Sequence, residues 1–271
     1  MDMKSHPYLG VRDTVRKATS ELLVDDYHTV HRARLARTLD LLCTEIEKIS
    51  RTDGIRILEL GTSGFIPQAL SQLFPGVTID VTNFDDKGEV VQRLGKPVSG
   101  RAAYGSVEVD AFTIDLEYED IPAADGTYDI VLCCEVLEHM EIDPMFMLGE
   151  VNRVLKNNGV LLLTTPNVLS SRGLTKMSEG HEPYFYMQYH SNRAYHRHNY
   201  EYTVNSVWRL LRAGGFDATV WTEDLFEDGL TFVVQQLKKL GWKVDHVGDN
   251  ILVTATKISG VVERHPFGLY V

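Results

Sequence analysis

A doubly wound α/β sheet is the fold class this sequence predicts, on three observations. Short runs that are apolar from end to end recur after residue 55, helix-period segments lie between them, and a Gly-bearing turn joins the first run to the first such segment. Runs of four to six residues without polar alternation suit strands buried on both faces of a parallel sheet. The chain has 271 residues, enough to bury a sizeable core, and no repeat, low-complexity tract or Pro/Gly/Ser-rich linker divides it. The reading is therefore a single domain over 1–271. Residues 1–50 form an N-terminal helical cap, 55–172 a ligand-binding core, 173–202 a lid, and 203–271 the C-terminal part of the sheet.

Taken in order, residues 12–50 read as mostly helical, because Val30, Leu35, Leu39, Leu42 and Ile46 recur at spacings of three to five. The strand candidates are Ile55–Leu60, Val77–Val81, Ala111–Ile114, Tyr128–Cys133 and Val160–Thr164, with later ones near Ala218–Trp221 and Ile251–Ala255. The helix candidates between them are Phe65–Phe74, Pro144–Lys156, Val204–Ala213 and Thr231–Leu240. Pro144 suits a first helical turn, and Asn158-Gly159 supplies a stop before the next strand. Gly173–Tyr202 breaks the rhythm. It holds six of the twelve tyrosines and four of the ten histidines with almost no aliphatic residues, so it is expected to form no amphipathic helix and to act as an aromatic lid; a polar surface loop is the plainer alternative.

Lys and Arg number 27 against 38 Asp and Glu, a formal charge of −11. Such a surface offers no general attraction to nucleic acid or anionic lipid. No apolar run approaches the ~18 residues of a membrane span, and the N-terminus lacks a secretory h-region. Cys43, Cys133 and Cys134 are too few and too oddly placed for a disulfide scaffold, which fits a reducing cytoplasm. The expected partner is a small-molecule or oligosaccharide substrate, with RNA disfavoured and no membrane; the oligomeric state stays open, a homodimer included.

The stretch Ile57-Leu58-Glu59-Leu60-Gly61-Thr62-Ser63-Gly64 is an apolar strand ending in an acid and a Gly turn ahead of a helix. Its glycines allow a sharp turn and close approach of a ligand to the backbone. A dinucleotide phosphate turn is the obvious competitor, but two of its three glycines are missing or displaced, and no P-loop Lys-Ser/Thr pair follows. Downstream stand Val77–Asn83, Phe112-Thr113-Ile114-Asp115-Leu116, Ile121-Pro122, the run from Tyr128 to His139, Glu150–Gly159, and Thr165-Pro166-Asn167.

With this ordered series the sequence resembles the class I S-adenosylmethionine-dependent methyltransferases over roughly residues 55–220. The resemblance implies a Rossmann-like seven-stranded sheet with S-adenosylmethionine across the carboxyl ends of the first strands. By position, Glu59, Gly61 and Gly64, with Thr62 in the same turn, would surround the methionine part. Asp115 and Leu116 would contact adenine, and the turn at Cys134 would pass beside the cofactor. Ser63 and Phe65 replace glycines common in the family's turn, which should make it less open. For the ribose, spacing from Gly61 favours Asn83, with Asp80 and then Asp85 as alternatives.

Glu135, Glu138 and His139 stand at i, i+3 and i+4, so one helical turn would face all three the same way at the sheet's carboxyl edge. Two carboxylates and an imidazole there suit a divalent ion; the plainer reading is a structural Glu-x-x-Glu-His stretch such as metal-free methyltransferases carry. A second segment, Arg197-His198-Asn199-Tyr200-Glu201-Tyr202-Thr203, resembles the one supplying the last metal ligand in small-RNA 3′-terminal 2′-O-methyltransferases. The Glu-x-x-Glu-His part is also similar to ubiquinone-pathway O-methyltransferases and to magnesium-dependent O-methyltransferases of bacterial polysaccharide biosynthesis. The resemblance implies Mg²⁺ or Mn²⁺ held by Glu135, Glu138, His139 and His198, catalytic roles for His139, Glu135 and His198, and an acceptor with a vicinal diol: a sugar or other small diol first, an RNA 3′ end or a catechol as alternatives. His181, His190 and His196 are spare proton acceptors or substrate contacts, and Tyr27 or His31 could reach the substrate from the N-terminal helices.

Chemistry supports an ion. An alcohol near pKa ~16 would give its proton to an imidazole near ~6.5 only at about 12 kcal/mol. A cation beside the hydroxyl removes part of that cost. The alternative is His139 as general base, and, in another class, a cofactor-binding protein without catalysis.

Overall fold

A computed structural model describes residues 12–22, 30–51, 54–84, 98–184, 197–226 and 231–270. Helices α1 (Asp13–Leu22) and α2 (Arg32–Lys48) precede β1 (Ile55–Leu60), α3 (Phe65–Leu73), β2 (Val77–Asn83), β3 (Val98–Tyr104), β4 (Val107–Thr113) and β5 (Tyr128–Cys134). A single 3₁₀ turn, Leu137–His139, leads to α4 (Pro144–Val154), β6 (Leu155–Pro166), α5 (Ser171–Ser178), α6 (Val204–Ala213), β7 (Phe216–Glu223), α7 (Phe232–Lys239) and β8 (Asn250–Lys257). No helix among the described residues is long and apolar enough to cross a membrane.

The strands form one sheet in the order β3-β4-β2-β1-β5-β6-β8-β7. β4, β2, β1, β5 and β6 are mutually parallel, so Thr113, Asn83, Leu60, Cys134 and Pro166 end along one edge. β8 runs antiparallel between β6 and β7. From β1 the chain builds outward through β2 to β3 and β4, then returns to place β5 on the other side of β1. That reversal opens a crevice beyond the carboxyl ends of β1 and β5.

The apolar runs are explained by two cores. Leu58, Leu60, Val131, Cys133, Leu161 and Leu163 face one side, against α4 and α6, while Ile57, Ile130, Leu132 and Leu162 face the other, against α2 and α3. Burying both faces leaves no polar alternation in the central strands.

Four expectations need correction. The sheet has eight strands rather than seven among the described residues. The extra one, β3, pairs antiparallel with β4 at the sheet edge, and its sequence VSGRAAY lacks the apolar run that double burial requires. The helix expected over Pro144–Lys156 ends at Val154: Leu155 already pairs with Tyr128, and Asn158-Gly159, with Asn158 at φ 61°, forms an irregularity inside β6. The candidate Ala111–Ile114 covers the end of a longer strand, β4, which lies between β3 and β2 and is only partly buried. Finally, α5 takes the first residues of the expected lid. It buries only Ser171 and Gly173 and is started by its N-cap, where Ser170 Oγ accepts the Gly173 N–H at 3.0 Å. Residues 185–196, which carry His190 and His196, lie outside the described residues, as do Tyr27 and Asp85.

Candidate functional site

The crevice between β1 and β5 holds a cleft of about 150 Å³ lined by Gly61, Thr82, Asn83, Phe84, Ile114, Asp115, Leu116, Glu135, Val136, His139 and Met140. Gly61, Asn83, Asp115 and Leu116, each expected beside the cofactor, therefore line one cleft. Gly61 stands at φ 65°, and a Cβ there would sit 2.9 Å from Val136 Cγ2, so the turn closes over the cleft only with glycine. Thr62 and Gly64 lie in the turn beside this cleft; Thr62 Oγ1 accepts the Gly64 N–H at 2.9 Å. Cys134 ends β5 immediately before the lining residues Glu135 and Val136. Burial pushes its thiol up to about 12, as suits a packing residue.

Asp80, the alternative ribose residue, is turned away. Its Oδ2 accepts from Tyr128 Oη at 2.7 Å and from Arg56 Nη2 at 2.8 Å, deep in β2 rather than at its end. Glu59 is buried on the α2–α3 side of β1. Burial raises its carboxyl to about 7, the Thr62 hydroxyl offsets part of that, and Oε2 has no hydrogen-bond partner.

Across the cleft, Glu138, His139 and His198 each offer a ligand atom, all within 4.8 Å of one another. The loop carrying His198 is sewn to the 3₁₀ turn by backbone bonds: Asn199 N–H and Tyr200 N–H donate to Glu138 O at 2.8 and 3.3 Å, and Asn199 Nδ2 donates to His139 O at 2.8 Å. The two rings meet edge to face, centroids 5.1 Å apart. His139 Nδ1 faces Arg197 O at 2.9 Å, and His198 Nδ1 faces Glu201 Oε1 at 2.7 Å. A carbonyl and a carboxylate only accept, so each Nδ1 carries a proton, and in the neutral ring Nε2 is the nitrogen with the lone pair. Glu138 is fully buried. Its Oε2 accepts from Thr165 Oγ1 at 2.9 Å, while Oε1, 4.0 Å from His139 Nε2, has no hydrogen-bond partner. Burial first, and the neighbouring charge of Glu135 second, push the Glu138 carboxyl well above the usual range.

Glu135 does not join that group. It sits at φ 56°, the left-handed region that a side chain seldom occupies. Its Oε1 accepts from Thr164 Oγ1 at 2.8 Å and Asn250 Nδ2 at 3.1 Å, and its Oε2 lies 3.9 Å from Arg34 Nε. His181 is exposed beyond α5, and the His31 ring packs edge-on against Phe226 at 5.4 Å.

Sequence reasoning missed Arg34, Tyr104, Glu201 and Asn250. Arg34 is a cation on the buried face of an amphipathic helix, where periodicity calls for an apolar residue. Glu201 did carry a signal, its place three residues after His198. A second, more open depression at the opposite edge of the sheet is lined by Arg153, Lys156 and Lys257. Those cations are engaged with Glu150 and Asp125, with Asp129, and with the carbonyls of Asn152 and Leu155.

Comparison with known proteins agrees with this fold. The family described as "Methyltransferase domain" matches residues 58–163. A ubiquinone biosynthesis O-methyltransferase of Pseudomonas aeruginosa is 29% identical over 115 residues, 42% of this chain and 45% of that protein. An uncharacterized protein of Methanocaldococcus jannaschii is 43% identical over 47 residues, 17% of this chain and 20% of that protein. The chain thus spans less than half the length of these curated relatives. Among solved structures, magnesium protoporphyrin IX methyltransferase from Synechocystis PCC 6803, with bound SAH, superposes with a TM-score of 0.52 at 17% identity, over 90% of this chain and 93% of that one. A chain of the complex between the Haloferax volcanii Trm112 methyltransferase activator and a methyltransferase gives 0.52 at 12% identity, over 92% and 100%. Both likenesses concern the fold.

Proposed function

We propose that this chain, whose residues 58–163 match the methyltransferase domain family, is an S-adenosylmethionine-dependent enzyme that transfers a methyl group to one hydroxyl of a vicinal diol on a sugar or other small molecule, with a divalent cation as helper. The observation that carries the proposal is the convergence of Glu138, His139 and His198 from two distant segments.

The donor set fits a cation. Two imidazoles present lone pairs toward a buried carboxylate whose Oε1 lacks a partner. With Glu138 ionised and both rings neutral the three would be acceptors facing one another, which a cation between them would relieve; without one, burial favours the protonated carboxyl of Glu138. Nitrogen and carboxylate oxygen suit Mn²⁺ or Mg²⁺, and a cation there would lower the cost of removing a proton from a neighbouring hydroxyl. S-adenosylmethionine supplies an activated methyl group, so the protein mainly has to position the acceptor oxygen. Gly61, Asn83, Asp115 and Leu116 line the cofactor side of the cleft, and His139 stands on the wall where cleft and cluster meet. Arg197 O and Glu201 hold the Nδ1 protons, so His139 and His198 cannot rotate without breaking a hydrogen bond. Glu135, drawn toward Arg34, Thr164 and Asn250, supports the turn and raises the negative charge felt by Glu138.

A second reading, methylation of an aromatic ring hydroxyl, is favoured by the likeness to the ubiquinone biosynthesis O-methyltransferase. A catechol also presents two adjacent hydroxyls. Release of S-adenosylhomocysteine from a panel of sugars, catechols and RNA oligonucleotides separates these acceptors. Exhaustive chelation is expected to lower turnover by at least about 100-fold, with recovery on adding Mn²⁺ or Mg²⁺. His198→Ala should weaken Mn²⁺ binding in a direct titration. Full turnover after chelation would reject the cation.

A further inference from the structure

Tyr104 is brought to the site by the hairpin of β3 and β4, the part of the sheet that the apolar pattern does not announce. Asn83 Nδ2 donates to its hydroxyl at 3.1 Å. Its ring lies on Gly64 so closely that a Cβ there would sit 2.3 Å from Cδ1. One half-buried side chain therefore touches both the Gly turn after β1 and the polar end of β2.

The identity of residue 83 gives these contacts meaning. A carboxylate at the end of β2 would accept from ribose hydroxyls through either oxygen. An amide has one accepting atom and one donating atom, and it can present either to a ligand unless a neighbour fixes it. Tyr104 accepts from Nδ2, which leaves Oδ1 as the amide's acceptor for a ligand in the cleft that Asn83 lines. We infer that Tyr104 is a positioning residue for cofactor recognition: it orients Asn83 so that Oδ1 accepts a ribose hydroxyl, and so sets the preference for ribose over deoxyribose. The inference rests on the cofactor reading above and is independent of the divalent cation.

The test is calorimetric titration of the full chain with S-adenosylhomocysteine and with its 2′-deoxy and 3′-deoxy analogues. Wild type should prefer the ribose compound to at least one analogue by about tenfold, the loss of one well-placed hydrogen bond. Tyr104→Phe keeps the ring on Gly64 and removes the hydroxyl. It should weaken S-adenosylhomocysteine by about two- to tenfold and flatten the ribose preference. Asn83→Ala should flatten it as well, and the double variant should bind within about twofold of Asn83→Ala, because Tyr104 acts through Asn83. A merely structural tyrosine would weaken all three ligands alike. Retention of the ribose preference in Asn83→Ala overturns the inference even if Tyr104→Phe folds poorly, and so do losses that multiply in the double variant. Failure of wild type to bind S-adenosylhomocysteine at all would instead overturn the cofactor reading, and the inference with it.

Discussion

Glu59 shows how much a single side chain at the carboxyl edge departs from its behaviour in water. Buried beside Thr62, its carboxyl is raised to about 7, so folding disfavours its ionised form. A raised acid contributes stability below its unfolded value, near ~4.3, and loses it as pH rises through about 7. Glu59→Gln cannot ionise. The ligand-free variant should therefore be more stable than wild type above pH ~7, by on the order of 3 kcal/mol at most, with the gain vanishing near pH ~4.5. Thermal unfolding of both proteins at pH 5 and pH 8 measures it, and a gain of equal size at both values would contradict the burial argument. The legible and illegible site residues divide on the same ground. Glu138 and His139 share one short turn, so their spacing alone brings them together. His198 was legible through its segment. Arg34 and Tyr104 reach the site from elements whose own patterns say nothing about it.

At the scale of the element, caps and edges decide what periodicity leaves open. α6 begins with a capping box: Thr203 Oγ1 accepts the Ser206 N–H at 3.1 Å and Ser206 Oγ accepts the Thr203 N–H at 2.9 Å. The same residue closes the segment that carries His198 and Glu201. Thr203→Ala should cost about 1 kcal/mol in urea unfolding. It should also weaken Mn²⁺ binding, because the loop is less firmly held. Unchanged stability would mean that tertiary contacts alone hold the start of this helix. The central strands were legible because burial of both faces writes itself as an unbroken apolar run. β3 was not, because an edge strand needs to bury only part of its surface. α5 was not, because its start depends on one serine rather than on an apolar stripe.

Across the whole molecule, the C-terminal segment is tied back to the start of α4. Arg264 Nη1 and Tyr270 Oη donate to Asp143 Oδ1 at 2.9 and 2.7 Å, Arg264 Nη2 also contacts Asp143, and Tyr270 Oη accepts the Met145 N–H at 2.9 Å. Burial pushes the Asp143 carboxyl up, but the bonds from Arg264 and Tyr270 and the charge of Arg264 outweigh it and hold it below the usual range. The stability this supplies is present above the unfolded value, near ~3.9, and is lost as pH falls through the folded one. Asp143→Asn should lower the unfolding temperature at pH 7, and the difference from wild type should shrink below pH ~4. A difference that stays constant down to pH 3 would show that the charge is not what joins the tail to the helix.

The sequence by itself determined the α/β class, the central parallel strands, the Gly turn and the Glu-x-x-Glu-His turn, because each depends on residues close together along the chain and on burial that repeats with a fixed period. Only the tertiary structure decided that β3 extends the sheet, that Glu135 turns toward Arg34 while Glu138 faces His198, and that Tyr104 meets Asn83. The β3–β4 hairpin is local, but the side-chain contacts join residues tens to about a hundred positions apart, and their geometry is set by how the elements pack rather than by any local pattern.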